Sequence, residues 1–453
     1  MSASQVMTQS SRKGINSVAP QVPVFQADRT VGDTNRRAAR ESETAFLKHV
    51  YLGAALVRLL VGAAIYFSGS LEFFAGDAMT YDHFGWELAK VWAGDAQYTQ
   101  WVLTRVQSVG HNGMFYWVAA GYTVLGRSPF LLTVVQIMVV SLTPLLVYKT
   151  ARLLFDSTPV ARYAALMTAF FPSMVIWSSM LLKDSIVIFL FCTTVFFSLK
   201  LQLENKIYYA LPSLTAMVLI FPIRGYVFYF ALLAVVASYL LSRYGGATVA
   251  ALAVRLAGLC LVGLVIFALG FDEIAKQQVN SNLLDQVQNS RMDMARRADS
   301  GFDATANVST LRGALSFLPR GVMYLLFAPF PWEGGGARKL LAVPEMVVWY
   351  GLFPFCVMGM LYTARKLFRR ALIIFLFTIQ LTLFYAIFQG NLGTAHRQRT
   401  QLFVFYFIFT SAGLVYSRRK ARVQMRAIPH QPLSPAVPHA VRPASPGRPR
   451  SSL

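Results

Sequence analysis

Long apolar runs alternate with short polar segments along most of the chain. The first run covers Tyr51 to Phe67, and similar runs follow as far as Tyr416. A run of roughly 20 apolar residues is long enough to cross a bilayer as a helix. The pattern therefore predicts an all-α, polytopic integral membrane protein with about 10–12 transmembrane helices.

The polar segments divide the chain into three parts. Residues 1–46 and 417–453 are basic and rich in Ser or Pro, and we expect both to be disordered cytoplasmic tails. Residues 47–416 form the polytopic membrane domain. Within it we expect three outer loops, at about 68–110, 271–343 and 389–399, and the helical spacing from Gly76 to Trp92 predicts interfacial helices in the first.

Composition and charge set the orientation. The chain is 55% hydrophobic and carries a formal net charge of +22. Much of this charge lies in the tails and in short loops, which predicts a multi-pass protein of the inner (plasma) membrane with both termini cytoplasmic. The basic tails would bind anionic lipids. Nucleic-acid binding is not expected, because no basic groove with interleaved aromatic residues is visible.

Several segments leave alternatives open. Residues 111–126 and 313–330 are short or interrupted by proline, so each is either a re-entrant or interfacial segment or a true span. Arg58 lies within the first span and either snorkels toward the cytoplasm, which we favour, or faces the bundle interior. The three cysteines lie in apolar runs and are expected to be packing residues.

The expected topology gathers charged residues on the outer side. Arginines there depart from the positive-inside rule. A bound anion explains them, because a guanidinium fork matches phosphate geometry; a local salt bridge, for example between Arg224 and Asp184, is the alternative. The outer set is Asp77, Asp82, His83, His111, Lys183, Asp184, Arg224, Arg320, Glu333, His396, Arg397 and Arg399.

Carboxylates and cations beside lipid suggest chemistry on a polyprenyl-phosphate-linked sugar. A carboxylate can accept the proton of an acceptor hydroxyl as it attacks the anomeric carbon. Arginine and lysine can stabilise the departing phosphate. No metal site is predicted, because the spacing of His83, His111 and His396 is not diagnostic, although a divalent cation remains an open question.

Three short motifs carry a family resemblance: Gly76-Asp77 to Tyr81-Asp82, His111 to Trp117, and Phe171-Pro172 to Lys183-Asp184. Through them the chain resembles the GT-C superfamily of membrane glycosyltransferases, which includes the protein O-mannosyltransferases and the lipid A aminoarabinose transferases. Two departures are that Asp77 and Asp82 are not an adjacent acidic pair, and that Asn112-Gly113 replaces the usual proline.

Later motifs are similar to bacterial exopolysaccharide-cluster membrane proteins. They are Leu318-Pro319-Arg320 with Pro329-Phe330-Pro331-Trp332, and His396-Arg397-Gln398-Arg399.

The resemblance implies a glycosyltransferase of cell-envelope or exopolysaccharide biosynthesis. It would move a sugar from a polyprenyl-phosphate donor to a saccharide, lipid or protein acceptor at the outer face. The implied site has Asp77 as first and Asp82 as second choice of catalytic carboxylate, Asp184, His83 and His111 as acceptor-binding or supporting residues, and Lys183, Arg224, Arg397 and Arg399 around the lipid phosphate.

Two other functions compete with this interpretation. An O-antigen-type polymerase or ligase would act on lipid-linked sugars through outer-loop arginines rather than a carboxylate after the first span. A flippase for lipid-linked saccharide would not be an enzyme. Transporters often place charges near the bilayer midplane between inverted repeats, whereas no repeat is visible in this chain.

Overall fold

The computed structural model describes residues 33–95, 97, 99–108, 112–241, 283–297, 301–303, 305–333 and 336–427. Over this part of the chain the regular structure is helical apart from one isolated bridge between Gly301 and Asn391. The all-α prediction is confirmed. The helices are α1 Asp33–Phe67, α2 Leu71–Trp92, α3 Thr99–Ser108, α4 Gly113–Leu125, α5 Pro129–Val140, α6 Thr143–Phe155, α7 Thr158–Phe170, α8 Pro172–Ser178, α9 Lys183–Glu204, a 3₁₀ turn Ile207–Tyr209, α10 Ala210–Ile220, α11 Gly225–Leu241, α12 Leu283–Arg297, α13 Leu311–Phe327, α14 Ala337–Lys366, α15 Phe368–Phe388 and α16 Leu392–Ala427.

Six helical segments are long and apolar enough to cross a membrane: Arg40–Phe67, Pro129–Phe155, Lys183–Glu204, Leu340–Lys366, Phe368–Phe388 and Leu392–Arg419. The bent pair α7–α8 makes a seventh, and Ile207–Ile220 and Gly225–Leu241 are apolar but shorter. The protein is therefore a polytopic membrane protein, as predicted. The predicted count of about 10–12 spans also included an apolar run within 242–282, which lies outside the described residues.

The segment that the sequence predicts as the first outer loop consists of short helices. After α1, the chain continues through α2, α3 and α4, and α4 has only 13 residues. At about 1.5 Å per residue such a helix is shorter than the roughly 30 Å hydrocarbon core. Neither α4 nor α13, which contains Pro319, is among the candidate spans. This arrangement favours interfacial or re-entrant helices over true spans at both places.

The terminal helices extend beyond the membrane segments. Helix α1 begins at Asp33 and α16 continues to Ala427, so residues 33–46 and 417–427 are helical where the sequence analysis expected disorder. An apolar segment nucleates each helix. The adjoining residues include several Ala and Arg, whose high helix propensity lets the helix continue. Residues 1–32 and 428–453 lie outside the described part of the chain.

Arg58 closes a break between α7 and α8. The two helices meet at 51°, directly before Pro172. Proline has no N–H to donate to Thr168, four residues earlier. The Arg58 guanidinium donates instead to the carbonyl oxygens of Thr168 and Ala169, at 3.3 and 2.9 Å. The favoured expectation that Arg58 snorkels was therefore wrong: only 2% of the residue is exposed, and it faces the bundle interior.

Replacing Arg58 with leucine is expected to lower the unfolding temperature clearly. Two buried carbonyls lose their donor, at a cost of about 1–3 kcal/mol each. Thermal unfolding in detergent would measure the shift. The matched control is Arg152→Leu, which removes only a surface ion pair with Asp156 worth at most about 1 kcal/mol. Equal shifts for both variants would contradict this account of the break.

Helix α16 is the central helix of the bundle. Of its membrane window, 78% is buried, against 22% for α14. The two helices approach so closely that a Cβ on Gly359 would lie 1.8 Å from the Phe409 carbonyl oxygen, and one on Gly413 would lie 1.9 Å from that of Phe355. Small residues permit such backbone contact. The packing fixes α16, whose first turns carry several of the candidate site residues.

Candidate active site

Asp77 follows a kink in α2. Ala75 departs from helical geometry, with φ −150° and ψ 70°, and the helix resumes through Gly76 and Asp77. The resumed part therefore begins next to Asp77, and the free N–H groups at a helix start favour a carboxylate. The Asp77 side chain is 49% exposed. The prediction of a helix around Asp82 and Trp86 is confirmed by the span of α2.

Asp184 lies in the first turn of α9 and is fully buried. One of its oxygens, Oδ1, lies 2.8 Å from Nη2 of Arg224 and accepts a hydrogen bond of 3.2 Å from Nε2 of Gln401. The other, Oδ2, lies 3.1 Å from Nε of Arg397. A buried carboxylate needs such partners, because burying an unpaired charge is very costly. Asp184 therefore orients two guanidinium groups.

Arg397 joins the two carboxylates. While its Nε faces Asp184, its Nη1 donates to Oδ2 of Asp77 at 2.8 Å. Lys183 lies within electrostatic range of Asp77, Asp184, Arg224 and Arg397. We call these five residues the outer ion cluster, after the side of the membrane on which the sequence predicts them. Three cations and two carboxylates give it one net positive charge.

A close helix approach holds Arg224 in the cluster. Arg224 lies in the turn between α10 and α11, and the Gly113 N–H donates to the Pro222 carbonyl in this turn at 2.8 Å. A Cβ on Gly113 would come within 2.8 Å of the Pro222 carbonyl carbon. Glycine is thus required where α4 begins. This contact gives a physical reason for Asn112-Gly113 at the position where the family usually has proline.

Two polar residues missed by the sequence analysis support the cluster. Gln401 Oε1 accepts a hydrogen bond of 3.0 Å from the Tyr385 hydroxyl, which also lies 3.3 Å from that of Tyr226. Both Gln401 and Tyr385 are buried. The available signal was the position of Gln401, one helical turn after Arg397 at the end of the polar stretch His396 to Gln401.

Tyr81 lies on the side of α2 that faces the cluster. It is buried, one helical turn after Asp77. Burial raises the pKa of the Tyr81 hydroxyl, and the nearby Asp77 carboxylate raises this pKa further. The hydroxyl therefore keeps its proton at neutral pH and can serve only as a neutral hydrogen-bonding group beside the cluster.

Asp82 belongs to a separate site. Its Oδ1 accepts a hydrogen bond of 2.5 Å from the Tyr122 hydroxyl, and its Oδ2 lies 2.8 Å from Nη2 of Arg127. Burial and the bond to Asp82 raise the pKa of Tyr122. Asp82, His83 and Arg127 line a cavity of about 370 Å³ whose other walls are mainly apolar. The structure therefore separates the two carboxylates that the sequence analysis named as catalytic.

Of the two predicted supporting histidines, the structure describes His83, which is not in the cluster. His83 is largely exposed, and its Nε2 lies 3.2 Å from Oε1 of Glu87, one turn further along α2. His111 lies outside the described residues. Among the residues that the structure does describe, no group of three or more His, Cys, Asp or Glu side chains converges as a metal-binding set.

Arg399 is separated from Arg397 because both are helical. A loop was expected over 389–399, but α16 begins at Leu392. At this helix start, Oδ1 of Asn391 accepts from the Gly393 N–H at 2.8 Å. Positions two apart on a helix point to nearly opposite sides. Arg399 is buried and donates to three backbone carbonyls at the end of α13, those of Leu325, Leu326 and Ala328, at 3.2, 3.1 and 2.9 Å.

Comparison with known proteins gives one family match. The family described as dolichyl-phosphate-mannose-protein mannosyltransferase matches residues 111–271. The matched part contains Lys183, Asp184 and Arg224 but neither Asp77 nor Arg397. Fold and cluster define a polytopic helical membrane protein with an ionic site between helix ends. The family match confirms the resemblance to GT-C superfamily membrane glycosyltransferases that the motifs predicted.

The chain is also similar to a solved structure. It is the crystal structure of ArnT from Cupriavidus metallidurans bound to undecaprenyl phosphate, with 18% sequence identity and a TM-score of 0.42. The likeness covers 69% of this chain and 52% of ArnT, so the chain spans about half the length of that protein. No curated protein matches the chain.

Proposed function

We propose that the chain is a membrane glycosyltransferase that moves a sugar from a polyprenyl-phosphate carrier to an acceptor hydroxyl at the outer face of the inner membrane. The outer ion cluster is the observation that carries this proposal. Its single net positive charge suits the phosphodiester monoanion of such a donor. The similarity of residues 111–271 to a family named for a lipid-phosphate sugar donor supports the same donor class.

The two carboxylates of the cluster have different roles. Asp77 is half exposed and can reach an acceptor hydroxyl, so it is the general base. Asp184 is buried and held by Arg224, Arg397 and Gln401, so it orients the phosphate-binding groups. Lys183 has no ion pair within 4.0 Å among the residues described, which leaves its ammonium group for the donor phosphate.

The reaction conserves charge within this site. The bond between the anomeric carbon and the phosphate oxygen breaks, and its electron pair stays with the phosphate. The acceptor oxygen bonds to the anomeric carbon, and its proton passes to Asp77. The phosphate gains one negative charge while Asp77 loses one. The cluster, then carrying two net positive charges, stabilises the phosphate monoester that leaves.

Arg397 couples donor binding to the base. Its Nη1 donates to Oδ2 of Asp77 at 2.8 Å. A donor phosphate competes for the same guanidinium group, because phosphate and carboxylate oxygens both accept its forked hydrogen bonds. Donor binding would thereby release Asp77 to accept a proton from the acceptor.

The cavity beside Asp82 is the proposed acceptor site. Asp82 and His83 of α2 form part of one wall, and its far wall includes Met180 and Leu181, just before Lys183. Ionic groups at one end and apolar walls elsewhere suit an amphipathic acceptor such as a lipid-linked saccharide. A role in cell-envelope or exopolysaccharide biosynthesis follows from carriers and acceptors of this kind.

Purified protein incubated with polyprenyl-phosphate sugars tests the proposal. We expect release of polyprenyl phosphate together with acceptor-dependent transfer, both followed by mass spectrometry. Each protein molecule should convert many donor molecules. Failure to turn over any donor of a varied panel, combined with transfer of lipid-linked saccharide across vesicle membranes, would favour the flippase instead.

Membrane orientation is part of the proposal. With the cluster outside, a single cysteine at the exposed Gln100 should react with a membrane-impermeant thiol reagent in intact cells. One at Arg419, at the far end of α16, should react only after permeabilisation. The background would lack all three native cysteines, of which Cys192 and Cys356 are buried. The opposite labelling pattern would overturn the outer location of the site.

A further inference from the structure

A buried glutamate lies behind the outer ion cluster and has no part in the mechanism above. Glu345 lies in α14, within a candidate membrane span, and only 5% of it is exposed. An ionisable residue in such a position is expensive unless it is paired. Its partners should therefore indicate its role.

Each oxygen of the Glu345 carboxylate lies near one nitrogen of another residue. Oε2 accepts from the backbone N–H of Ser173 at 2.6 Å. This N–H is left free by the break before α8, where it cannot bond the preceding turn. Oε1 lies 3.5 Å from Nε2 of His396, and neither of these buried atoms has another partner in the described part of the chain.

The proton of His396 can be assigned from its second partner. The Trp177 indole N–H donates to Nδ1 of His396 at 3.3 Å. Indole nitrogen is a donor only, so Nδ1 must present a lone pair, and the ring carries its proton on Nε2, facing Glu345. His396 therefore accepts from Trp177 through Nδ1 and directs its Nε2–H toward Oε1 of Glu345, 3.5 Å away.

This network holds together the segments that carry the cluster. His396 directly precedes Arg397 in α16. Ser173 and Trp177 lie in α8, which leads after a short turn to Asp184 at the start of α9. Glu345 thus contacts both α8 and α16. In the cluster, Nε of Arg397 lies 3.1 Å from Oδ2 of Asp184.

We propose that Glu345 is a positioning residue that sets Arg397 for donor phosphate, and that it must be a carboxylate because it needs two acceptor oxygens. This proposal rests on the proposed function of the outer ion cluster. A glutamine has one oxygen only. If that oxygen accepts from Ser173, the amide NH₂ faces Nε2 of His396. Nε2 can accept this hydrogen bond only if the ring carries its proton on Nδ1. The Nδ1–H would then face the Trp177 N–H, and two donors would oppose each other.

The first test is Glu345→Gln. The donor–donor conflict at His396 should raise the KM for a polyprenyl-phosphate sugar by about tenfold, as expected for one unsatisfied buried group. The kcat should change by less than about threefold, since Asp77 is untouched. Binding of undecaprenyl phosphate should weaken by the same factor as KM rises.

A compensating substitution separates positioning from general damage. Trp177→Phe removes the N–H that opposes the new tautomer, so Glu345→Gln combined with Trp177→Phe should restore KM to within about twofold of wild type. Trp177→Phe alone should have a small effect. If the two substitutions instead add their losses, or if Glu345→Gln leaves KM unchanged, the proposal is overturned. Should Glu345→Gln not fold, the double variant must still fold and bind undecaprenyl phosphate.

The chain offers a matched control in its second Glu–His pair. Glu87 lies 3.2 Å from His83 on α2, away from Arg397. Glu87→Gln should leave the KM for donor unchanged. The two variants also separate this proposal from the proposed function. If Asp77→Asn loses activity while Glu345→Gln keeps the wild-type KM, only the positioning role is rejected. If Asp77→Asn keeps full activity, the mechanism itself is rejected.

Discussion

Asp77→Asn is expected to lower kcat by about 100- to 10,000-fold, the usual contribution of a general base. Asparagine keeps the size of the side chain and can still accept from Arg397, but it cannot take the proton of the acceptor hydroxyl. Stability should change little, because the Asp77 side chain is 49% exposed and exposed ion pairs contribute about 1 kcal/mol or less. Steady-state transfer from a polyprenyl-phosphate sugar is the measurement.

Two further carboxylates serve as comparisons for Asp77. Glu72→Gln, at the exposed start of α2, should retain wild-type kcat. Asp82→Asn should act on the acceptor, raising its KM, because Asp82 lines the cavity and not the outer ion cluster. Full activity in Asp77→Asn with inactivity in Asp82→Asn would move the base to the second sequence candidate.

Arg397→Ala should give the other large effect, a fall in kcat/KM for the donor of about 100- to 1,000-fold, as for loss of a charge-stabilising donor. The substitution removes the group that bridges Asp77 and Asp184 and lowers the net charge of the cluster to zero. Arg397→Lys should fall in between, because an ammonium group keeps the charge but lacks the fork that contacts two carboxylates at once.

The control for Arg397 is Arg320→Ala. Arg320 is 59% exposed and pairs with Asp303 at 3.0 Å, apart from the cluster. It should keep normal donor kinetics. If Arg397 proves essential while Asp77 is dispensable, the polymerase or ligase is favoured, since that class depends on arginines without a carboxylate base.

Some site contacts follow from the sequence, and others depend on helix geometry. The Arg224–Asp184 pair was named as a salt bridge from the sequence and is present at 2.8 Å. The joint assignment of Arg397 and Arg399 to one phosphate site assumed a loop. In α16 the two side chains point to opposite sides, and only Arg397 reaches the cluster.

Other members of the site gave little signal in the sequence. Glu345 is a single charged residue within an apolar run, and Gln401 is one of several neighbouring polar residues, so no local pattern reveals the partner of either. Arg58 was expected to extend toward the cytoplasm. Its acceptors lie instead at the break between α7 and α8, and one of them, the Thr168 carbonyl, is 110 positions away along the chain. Contacts of this kind are set by packing between helices.

The sequence by itself determined the class of this protein. Apolar runs of membrane-spanning length require helices, because backbone groups in lipid must bond within their own segment. The placement of Lys and Arg predicts the orientation of the chain. Only the tertiary structure decided which charges meet. Asp77 and Arg397 are 320 positions apart, and Asp82, five positions from Asp77, belongs to another site. Such pairings depend on kinks, breaks and the rotation of about 100° per helical residue, which hydropathy does not encode.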